Sequence, residues 1–324
     1  MIHSAAPSLD VTPAPVPVWR RALIYVLFMA FAAWCIVGFR RDIAQIDLSP
    51  LRQGWPAIVA AGALSLFNYV LRVVRWRFYL QRLGHSLPWR FVSLTFMAGF
   101  AFTLSPGKLG EMVRARYYQP RGIPLAAVTG AFFVERLLDL VVMILLAVAV
   151  LAELQAYRSF LWVAVALVGG LLASVALVPW SVVADRLSLH PHGRLVQTLT
   201  SIVRMFVSAR LFLSPGMLVM GLVIGMAAWS CEAFGLKVVA DVISPAPLSV
   251  AGAMGIYAIA IIVGALSFLP GGLGSTEAVM AALLVAHGFQ TSQAILLTLI
   301  CRLLTLWLAV AIGWLCVWVL RRAP

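Results

Sequence analysis

Long apolar runs separated by short polar segments dominate the chain. A helix needs roughly 20 consecutive apolar residues to cross the hydrocarbon layer of a membrane. By that measure the sequence predicts about six full spans, at 22–39, 56–74, 125–152, 159–180, 215–240 and 292–320. The predicted fold class is therefore an all-α polytopic integral membrane protein.

Two further apolar stretches fit this measure poorly. The run 91–104 is too short and stops at a Ser-Pro-Gly sequence, and the run 249–288 is broken in its middle by Pro270, Gly271 and Gly274. Irregular backbone at membrane depth is tolerated only where protein or a water-filled cavity surrounds it. Each stretch is therefore predicted to be a re-entrant hairpin, with eight spans as the alternative if the hairpins cross.

The segments outside the spans divide the chain. Residues 1–17 contain four prolines and no periodic pattern, which predicts a disordered tail ahead of a single transmembrane domain at 18–324. The two halves of that domain are predicted at about 55–180 and about 215–322. Between them, at about 190–213, apolar residues recur at helical spacing with arginines elsewhere, which predicts an amphipathic linker helix. It either lies on the inner leaflet or packs on the spans.

Two sequence stretches about 165 positions apart are alike. The first reads S-P-G-K-L-G-E at 105–111 and is followed by E-R-L-L-D at 135–139. The second reads L-P-G-G-L-G-S-T-E at 269–277 and is followed by C-R-L-L-T at 301–305. The predicted hairpins enter from opposite sides, which indicates an inverted repeat of the kind that secondary transporters build around a midplane site. Chance recurrence of short Gly/Pro motifs is the alternative.

Composition and charge exclude an ordinary soluble domain. Hydrophobic residues make up 63% of the chain and charged residues 11%, and the mean hydropathy is +1.01. The net charge of +13 comes from 22 Arg and 2 Lys that punctuate apolar runs, so no nucleic-acid partner is predicted. Sixteen basic residues fall on one predicted side of the membrane and four on the other, which places both termini in the cytoplasm. The Arg40-Arg41 pair opposes this assignment.

Five acidic residues lie within or beside apolar segments: Glu111, Glu135, Asp139, Glu232 and Glu277. A charge at membrane depth is costly, so retained ones usually pair, face a cavity or serve a transport path. The cysteines and histidines lack metal-ligand spacing and the chain lacks a Walker motif. No metal, no cofactor and no direct use of ATP are therefore predicted.

Glu135 and Asp139 are four positions apart and share a helix face, where two like charges need a cation between them. Arg136 points about 100° away around the helix. The predicted partner is therefore Arg302 or Arg114, with a bound cationic head group or a proton as further options. A buried ion-pair network that only fixes packing is the alternative.

The first Pro-Gly break predicts an anion site. Ser105 as N-cap and Pro106 at the first helical position predict a half-helix that begins inside the protein. Its unpaired N–H groups, with Lys108, Arg114 and Arg116 close by, form a predicted cradle for a phosphate. The alternative is that Pro106 and Gly107 merely permit a tight turn and close packing.

The second predicted span carries polar residues. Asn68 and Arg72 lie on one face of it and are predicted to line a polar groove. Arg75, Trp76, Arg77 and Tyr79 come at its cytoplasmic end, where basic and aromatic residues usually anchor a helix at the membrane surface. They are predicted to be such an anchor.

The sequence blocks at 105–111, 135–139 and 269–277, together with residues 68–76 and Arg114, resemble the lysylphosphatidylglycerol synthase transmembrane family. This is the flippase-like membrane domain of the multiple peptide resistance factor. The likeness covers roughly residues 20 to 320. It implies movement of phospholipids or glycosylated isoprenoid lipids between leaflets. The positions that carry the family motifs are Pro106, Lys108, Glu111, Arg114, Glu135, Arg136, Asp139, Pro270, Gly271, Gly274 and Glu277. Because the sequence stops at Pro324, no soluble aminoacyl-transferase domain is expected.

The predicted function is lipid translocation in the bacterial inner membrane, without enzymatic activity. Phosphate and head-group contacts are assigned to Lys108, Glu111, Arg114, Arg136, Arg302, Asn68 and Arg72, and proton or cation coupling to Glu135, Asp139 and Glu277. The predicted partners are membrane lipids, with a second copy of the chain or lipid-biosynthesis proteins as further options. The alternatives are a non-transporting accessory subunit of lipid, hopanoid or glycolipid biosynthesis, and a polytopic lipid-modifying transferase.

Overall fold

The computed structural model describes residues 49, 52, 54–151, 158–188 and 194–322. All regular structure within these residues is helical and none of them forms a strand. The predicted tail at 1–17, the predicted first span at 22–39 and the Arg40-Arg41 pair lie outside the described residues.

Twelve α-helices follow one another in the described residues. They are α1 (Trp55–Arg82), α2 (Trp89–Phe100), α3 (Ala115–Tyr118), α4 (Leu125–Leu151), α5 (Arg158–Leu177), α6 (Trp180–Ser188), α7 (Arg194–Arg210), α8 (Pro215–Ile243), α9 (Val250–Leu266), α10 (Ser275–Ala286), α11 (Thr291–Arg302) and α12 (Leu308–Arg322). Short 3₁₀ segments span Pro106–Arg114, Gln119–Arg121 and Pro270–Gly272. A π-helical turn, Leu303–Trp307, joins α11 to α12.

Three helices of the described chain are long and apolar enough to cross a membrane: α1, α8 and the continuous helix Thr291–Arg322. The predicted spans at 56–74, 215–240 and 292–320 fall within them. Helices α5 and α6 make a fourth candidate, but the chain bends by 71° between them. Helix α4 is 27 residues long and carries three charged residues near its middle, Glu135, Arg136 and Asp139. The total number of crossings stays a prediction.

The long helices pack in pairs that link the two predicted halves. Helix α1 lies along α8, α4 packs on α9, and α12 packs on α2. The contact between α12 and the end of α2 is very close, because a Cβ placed on Gly313 would collide with the backbone nitrogen of Ala101. Only glycine permits this approach of two helix backbones.

The predicted linker helix is present as α7. It packs on α4, where Gly130 faces Ser208 and Ala209. Ala209 is fully buried, whereas Leu199 and Ile202 are about half exposed. The contact with α4 is the arrangement expected of a loop helix packed on the spans.

The two Pro-Gly breaks meet inside the structure, where the segment Pro106–Arg114 contacts the turn Pro270–Gly272. In the second break Gly271 and Gly274 have φ of 62° and 84°, a left-handed conformation that glycine adopts without strain. Helix α10 begins directly after it, and the carboxylate of Glu277 accepts a hydrogen bond from the N–H of Gly274 at 2.6 Å. The second break thus leads into a half-helix.

The first break differs from the prediction. A 3₁₀ segment comes after Ser105 instead of an α-helix, and the Ser105 hydroxyl makes no capping bond to the first turn. It accepts a hydrogen bond from the more distant N–H of Gly110, at 2.5 Å. The tight fold brings Gly110 against the backbone of Phe102, which leaves no room for the wider α-helical turn.

Candidate functional site

Asp139 lies at the centre of a buried ion-pair cluster. One carboxylate oxygen accepts hydrogen bonds from Arg75 on α1, at 2.7 Å, and from the indole N–H of Trp229 on α8, at 3.0 Å. The other oxygen lies 3.2 Å from the Arg136 guanidinium. Three helices, α1, α4 and α8, therefore meet at this one side chain.

Glu135, one turn before Asp139, is fully buried and surrounded by arginines. Its carboxylate lies 2.8 Å from Arg136, 3.3 Å from Arg114, 3.4 Å from Arg75 and 3.8 Å from Arg72. The repulsion expected between two carboxylates on one helix face is thereby offset by cations from three segments of the chain.

The predicted partners of this acidic pair need correction. Arg114 does contact Glu135, but Arg302 pairs with Glu277 instead, at 2.6 Å. Arg136, predicted to point away, contacts both acids because its long side chain curls back along the helix and because Arg136 and Asp139 are three positions apart.

The anchor predicted at the end of α1 is wrong for three of its four residues, all except Arg77. Arg75, Trp76 and Tyr79 are each fully buried, and the Arg75 guanidinium is a main partner of Asp139. The sequence signal for a buried polar face is the spacing of Arg72, Arg75 and Tyr79, because residues three and four positions apart lie on one face of a helix. A single helix cannot reveal that its polar face meets acids on another helix.

Glu111 connects the first break to the cluster. Its carboxylate accepts a hydrogen bond from Thr103 at 2.9 Å and pairs with Arg114 at 3.3 Å. The Arg114 guanidinium in turn lies over the Trp76 ring, 4.2 Å from its centroid. The first break is therefore held against both α1 and α4 by charged and aromatic contacts.

A cavity of about 210 Å³ lies between the two breaks. Ser105 and Lys108 from the first break and Gly271 from the second line it, together with Arg136 and Arg302, the arginines at matching positions of the two halves. The Arg302 guanidinium also donates to the carbonyl oxygen of Gly271 at 2.7 Å. The repeated sequence motifs thus meet at one chamber.

A smaller cavity of about 40 Å³ adjoins the first and shares Lys108, Trp229 and Arg302 with it. Arg72 and Glu111 line this smaller cavity. Asn68 does not line either cavity, because it is fully buried and its amide donates to the carbonyl oxygen of Ala228 at 2.7 Å. The predicted polar groove therefore includes Arg72 but not Asn68.

Two cations of these cavities form no hydrogen bond with an acid. Arg72 is 5% exposed, and its guanidinium has two nitrogens without a hydrogen-bond acceptor, lies 3.8 Å from the Glu135 carboxylate and lies 5.2 Å from the centroid of the Phe100 ring. The Lys108 ammonium forms no hydrogen bond or ion pair with any described residue and lies 5.9 Å from the centroid of the Trp229 ring. Lys108 also has a left-handed φ of 57°, a costly conformation for a residue with a side chain.

The cluster has an excess of positive charge. Together with the smaller cavity beside it, the cluster contains five cations, Arg72, Arg75, Lys108, Arg114 and Arg136, and four carboxylates, Glu111, Glu135, Asp139 and Glu232. Within the described ranges no group of three or more His, Cys, Asp and Glu side chains is arranged to hold a metal ion. The arrangement is suited to receive an anion.

An apolar groove of about 470 Å³ lies between α4, α5 and α9. Aliphatic side chains line almost all of it, among them Leu140, which also lines the larger polar cavity. Val163 and Leu167 on α5 border the groove and are more than half exposed. The groove therefore shares Leu140 with the larger cavity and borders the outer surface of the helices.

Comparison with known proteins agrees with this architecture. The family model described as the lysylphosphatidylglycerol synthase TM region matches residues 18–313. A UPF0104 membrane protein of Methanothermobacter thermautotrophicus is 26% identical over 319 residues, which covers 90% of this chain and 90% of that protein. The family match includes both Pro-Gly breaks and every residue of the ion-pair cluster. The chain therefore belongs to the lysylphosphatidylglycerol synthase transmembrane family of helical membrane proteins.

Proposed function

We propose that this protein translocates a lipid with a phosphate-bearing head group, either a phospholipid or a glycosylated isoprenoid lipid, between the leaflets of the bacterial inner membrane. The observation that carries the proposal is the pair of cavities between the two breaks, which contains Lys108 and Arg72, two cations that form no hydrogen bond with an acid. Such charges are expensive inside a membrane protein unless they pair or serve a transport path.

A phosphate fits the charge of the cavity. Arg136, Arg302 and Lys108 line the larger cavity and Arg72 the smaller one, so a phosphate there would be surrounded by four cations. Arg114 and Glu111 hold the first break in place, and Asn68 holds α1 against α8. The cavity offers charge-assisted hydrogen bonds, which are the stronger class for an anionic ligand.

The apolar groove offers a binding site for the hydrocarbon chains of the lipid. A head group in the polar cavity needs a path for its hydrocarbon chains, and the groove between α4, α5 and α9 adjoins the cavity at Leu140. Aliphatic walls suit such chains because they exclude water. The lipid would then be bound with its phosphate inside the helices and its chains at the lipid-facing surface.

The helix pairing supports an inverted repeat. The first helices of the halves, α1 and α8, pack together, and α4 packs on α9 as α12 packs on α2. Helix α2 of the first half corresponds to α9 of the second, and α4 corresponds to α12. The contact of α4 with α9 therefore corresponds to the contact of α12 with α2, as expected for two halves related by a pseudo-two-fold axis. In such transporters one half rocks against the other around the fixed site.

We place both termini in the cytoplasm. Three of the sixteen basic residues that the sequence assigns to the cytoplasmic side, Arg75, Lys108 and Arg114, belong to the buried site instead. Thirteen basic residues remain on the predicted cytoplasmic side and four on the opposite side, so the excess of positive charge still favours cytoplasmic termini.

Transport suits this site better than a transferase reaction. Each carboxylate of the cluster, Glu111, Glu135 and Asp139, is paired with arginine and is not free to act as a base or to bind a metal. The coupling roles of Glu135, Asp139 and Glu277 stay proposals. Glu277, paired with Arg302 beside the second break, is placed to connect the cavity to movement of that break.

The test is transport in liposomes that contain only the purified protein and a trace of fluorescent phosphatidylglycerol in one leaflet. We expect the wild type to move the label to the other leaflet, and Arg136→Gln and Arg302→Gln each to lower the rate at least about tenfold, because each loses a charge-assisted contact of roughly 1.5 to 3 kcal/mol. Arg204→Gln is the matched control, since Arg204 is exposed on α7.

Two results would contradict the proposal. Equal transport rates for Arg136→Gln and Arg204→Gln would mean that the lipid head group does not pass through the cavity. A wild-type protein that moves neither anionic lipids nor prenyl phosphates would favour the role of an accessory subunit.

A further inference from the structure

Glu232 is a buried acid that the ion-pair cluster does not include. It lies on α8 with 4% of its surface exposed, and its carboxylate accepts a hydrogen bond from the Tyr257 hydroxyl on α9. It forms no ion pair with any residue in the described ranges. Its bonded partner is therefore a neutral donor.

This environment differs from that of the other buried acids. Glu135 and Asp139 each lie within 3.3 Å of at least one arginine, and Glu277 lies 2.6 Å from Arg302. An acid with an adjacent cation stays ionised, because the cation offsets the cost of burying its charge. Glu232 has no such partner, so its charge depends on what else is in the cavity.

Glu232 also occupies a junction between two cavities. On one side it lines the cavity of about 40 Å³ that contains Arg72 and Lys108. On the other side it lines a crevice of about 10 Å³ between α1, α8 and α11, bordered by Ser65 and Gly235. The larger of the two has room for water, which can carry a proton to the carboxylate.

The groups that face Glu232 come from every element around it. They are Tyr69 and Arg72 from α1, Lys108 and Glu111 from the first break, Tyr257 from α9, and Cys301 and Arg302 from α11. Of the three cations among them, Arg302 pairs with Glu277, whereas Arg72 and Lys108 form no hydrogen bond with an acid. When the cavity is empty, an ionised Glu232 offsets part of their charge across the cavity.

We propose that Glu232 takes up a proton when an anionic head group enters the cavity and releases it when the head group leaves. The incoming phosphate brings the negative charge that the cations require, so an ionised Glu232 beside it would add repulsion. One proton from water then forms the O–H bond of the acid, and no other bond changes. The inference rests on the proposed function, and it adds Glu232 to the residues that couple lipid movement to protons.

The test counts the protons that accompany lipid binding. The heat of binding is measured by isothermal titration calorimetry as short-chain phosphatidylglycerol is added to the full-length protein in phosphatidylcholine nanodiscs. The titration is repeated in two buffers whose ionisation enthalpies differ, because the difference in heat gives the number of protons taken up. The wild type should take up about one proton per lipid bound, with an affinity that rises up to about tenfold for each unit by which the pH falls. Glu232→Gln should bind with no proton uptake and with an affinity independent of pH.

Control variants separate this role from a structural one. Asp241→Asn alters an exposed acid on the same helix and should leave the proton count unchanged. Tyr257→Phe removes the hydrogen bond to Glu232 and should displace the midpoint of the pH dependence while keeping the proton count. This second variant tests the inference even if Glu232→Gln does not fold.

The outcomes are distinguishable. Proton uptake by Glu232→Gln equal to that of the wild type would overturn the inference and leave the proposed function standing, as would an unchanged pH midpoint in Tyr257→Phe. Failure of the wild type to bind phosphatidylglycerol or a prenyl phosphate would overturn the proposed function and the inference together.

Discussion

At the scale of single residues, Asp139 joins three helices of the site, α1, α4 and α8. It accepts hydrogen bonds from Arg75 and Trp229 and also contacts Arg136. Removing its charge would leave the Arg75 guanidinium buried with only the more distant Glu135 as an acidic partner. Buried charges that lose a partner are strongly destabilising, whereas the intact pair contributes far less.

Asp139→Asn is therefore expected to lower the free energy of unfolding by roughly 3 to 5 kcal/mol. The measurement is thermal unfolding of the purified protein, followed by tryptophan fluorescence. Asp241→Asn is the control, because the Asp241 side chain is 51% exposed and its pair with Lys237 contributes at most about 1 kcal/mol. Equal melting temperatures for the two variants would mean that the cluster does not stabilise the fold.

The sequence predicts part of this site. Glu135, Asp139, Lys108 and Arg114 can be identified because charges are rare in apolar runs and stand out there. Trp229 cannot, since a tryptophan in an apolar helix looks like any other core residue until the acid that it contacts is known. Contacts between helices far apart in sequence depend on the packing, which the pattern along one helix does not contain.

At the scale of elements, glycines decide how closely the helices approach. The backbone nitrogen of Ala101, directly after α2, occupies the space that a side chain at Gly313 on α12 would need. A backbone atom cannot move aside as a flexible side chain can. Gly313 therefore fixes the distance between α12 and α2, the helix that precedes the first break.

Gly313→Ala is expected to destabilise the protein by roughly 1 to 3 kcal/mol through overpacking. Gly169→Ala on α5 is the matched control, because no atom lies within 4 Å of its added Cβ, and alanine at an open helical position is worth up to about 1 kcal/mol of stability. Thermal unfolding of both variants checks the prediction. A melting temperature for Gly313→Ala equal to or above that of the wild type would show that the two helices can separate without cost.

The breaks in the helices are predictable, but their detailed form is not. Pro and Gly at 106–107 and 270–271 identify both positions correctly, since neither residue continues a helix readily. The 3₁₀ form of Pro106–Arg114 depends on the close contact of Gly110 with the chain at Phe102, which the sequence alone does not show. Local signals indicate where a helix stops, and tertiary contacts decide the form of the next turn.

At the scale of the whole molecule, the two halves contribute matching parts to one chamber. Each provides a Pro-Gly break and an arginine, Arg136 or Arg302, that lines the cavity. The halves differ in charge, however, because Glu135 and Asp139 have Cys301 and Thr305 at the matching positions. The first half therefore holds most of the ions, and the second half contributes the apolar wall and Glu232.

The central claim is that this chamber selects an anionic lipid. Native mass spectrometry of the protein, extracted gently from its own membrane and followed by identification of the bound lipids, tests it most directly. One enriched phosphate-bearing lipid should accompany the wild type and Arg204→Gln and be lost from Lys108→Gln. An unselective mixture of bulk lipids, the same for all three proteins, would contradict the claim.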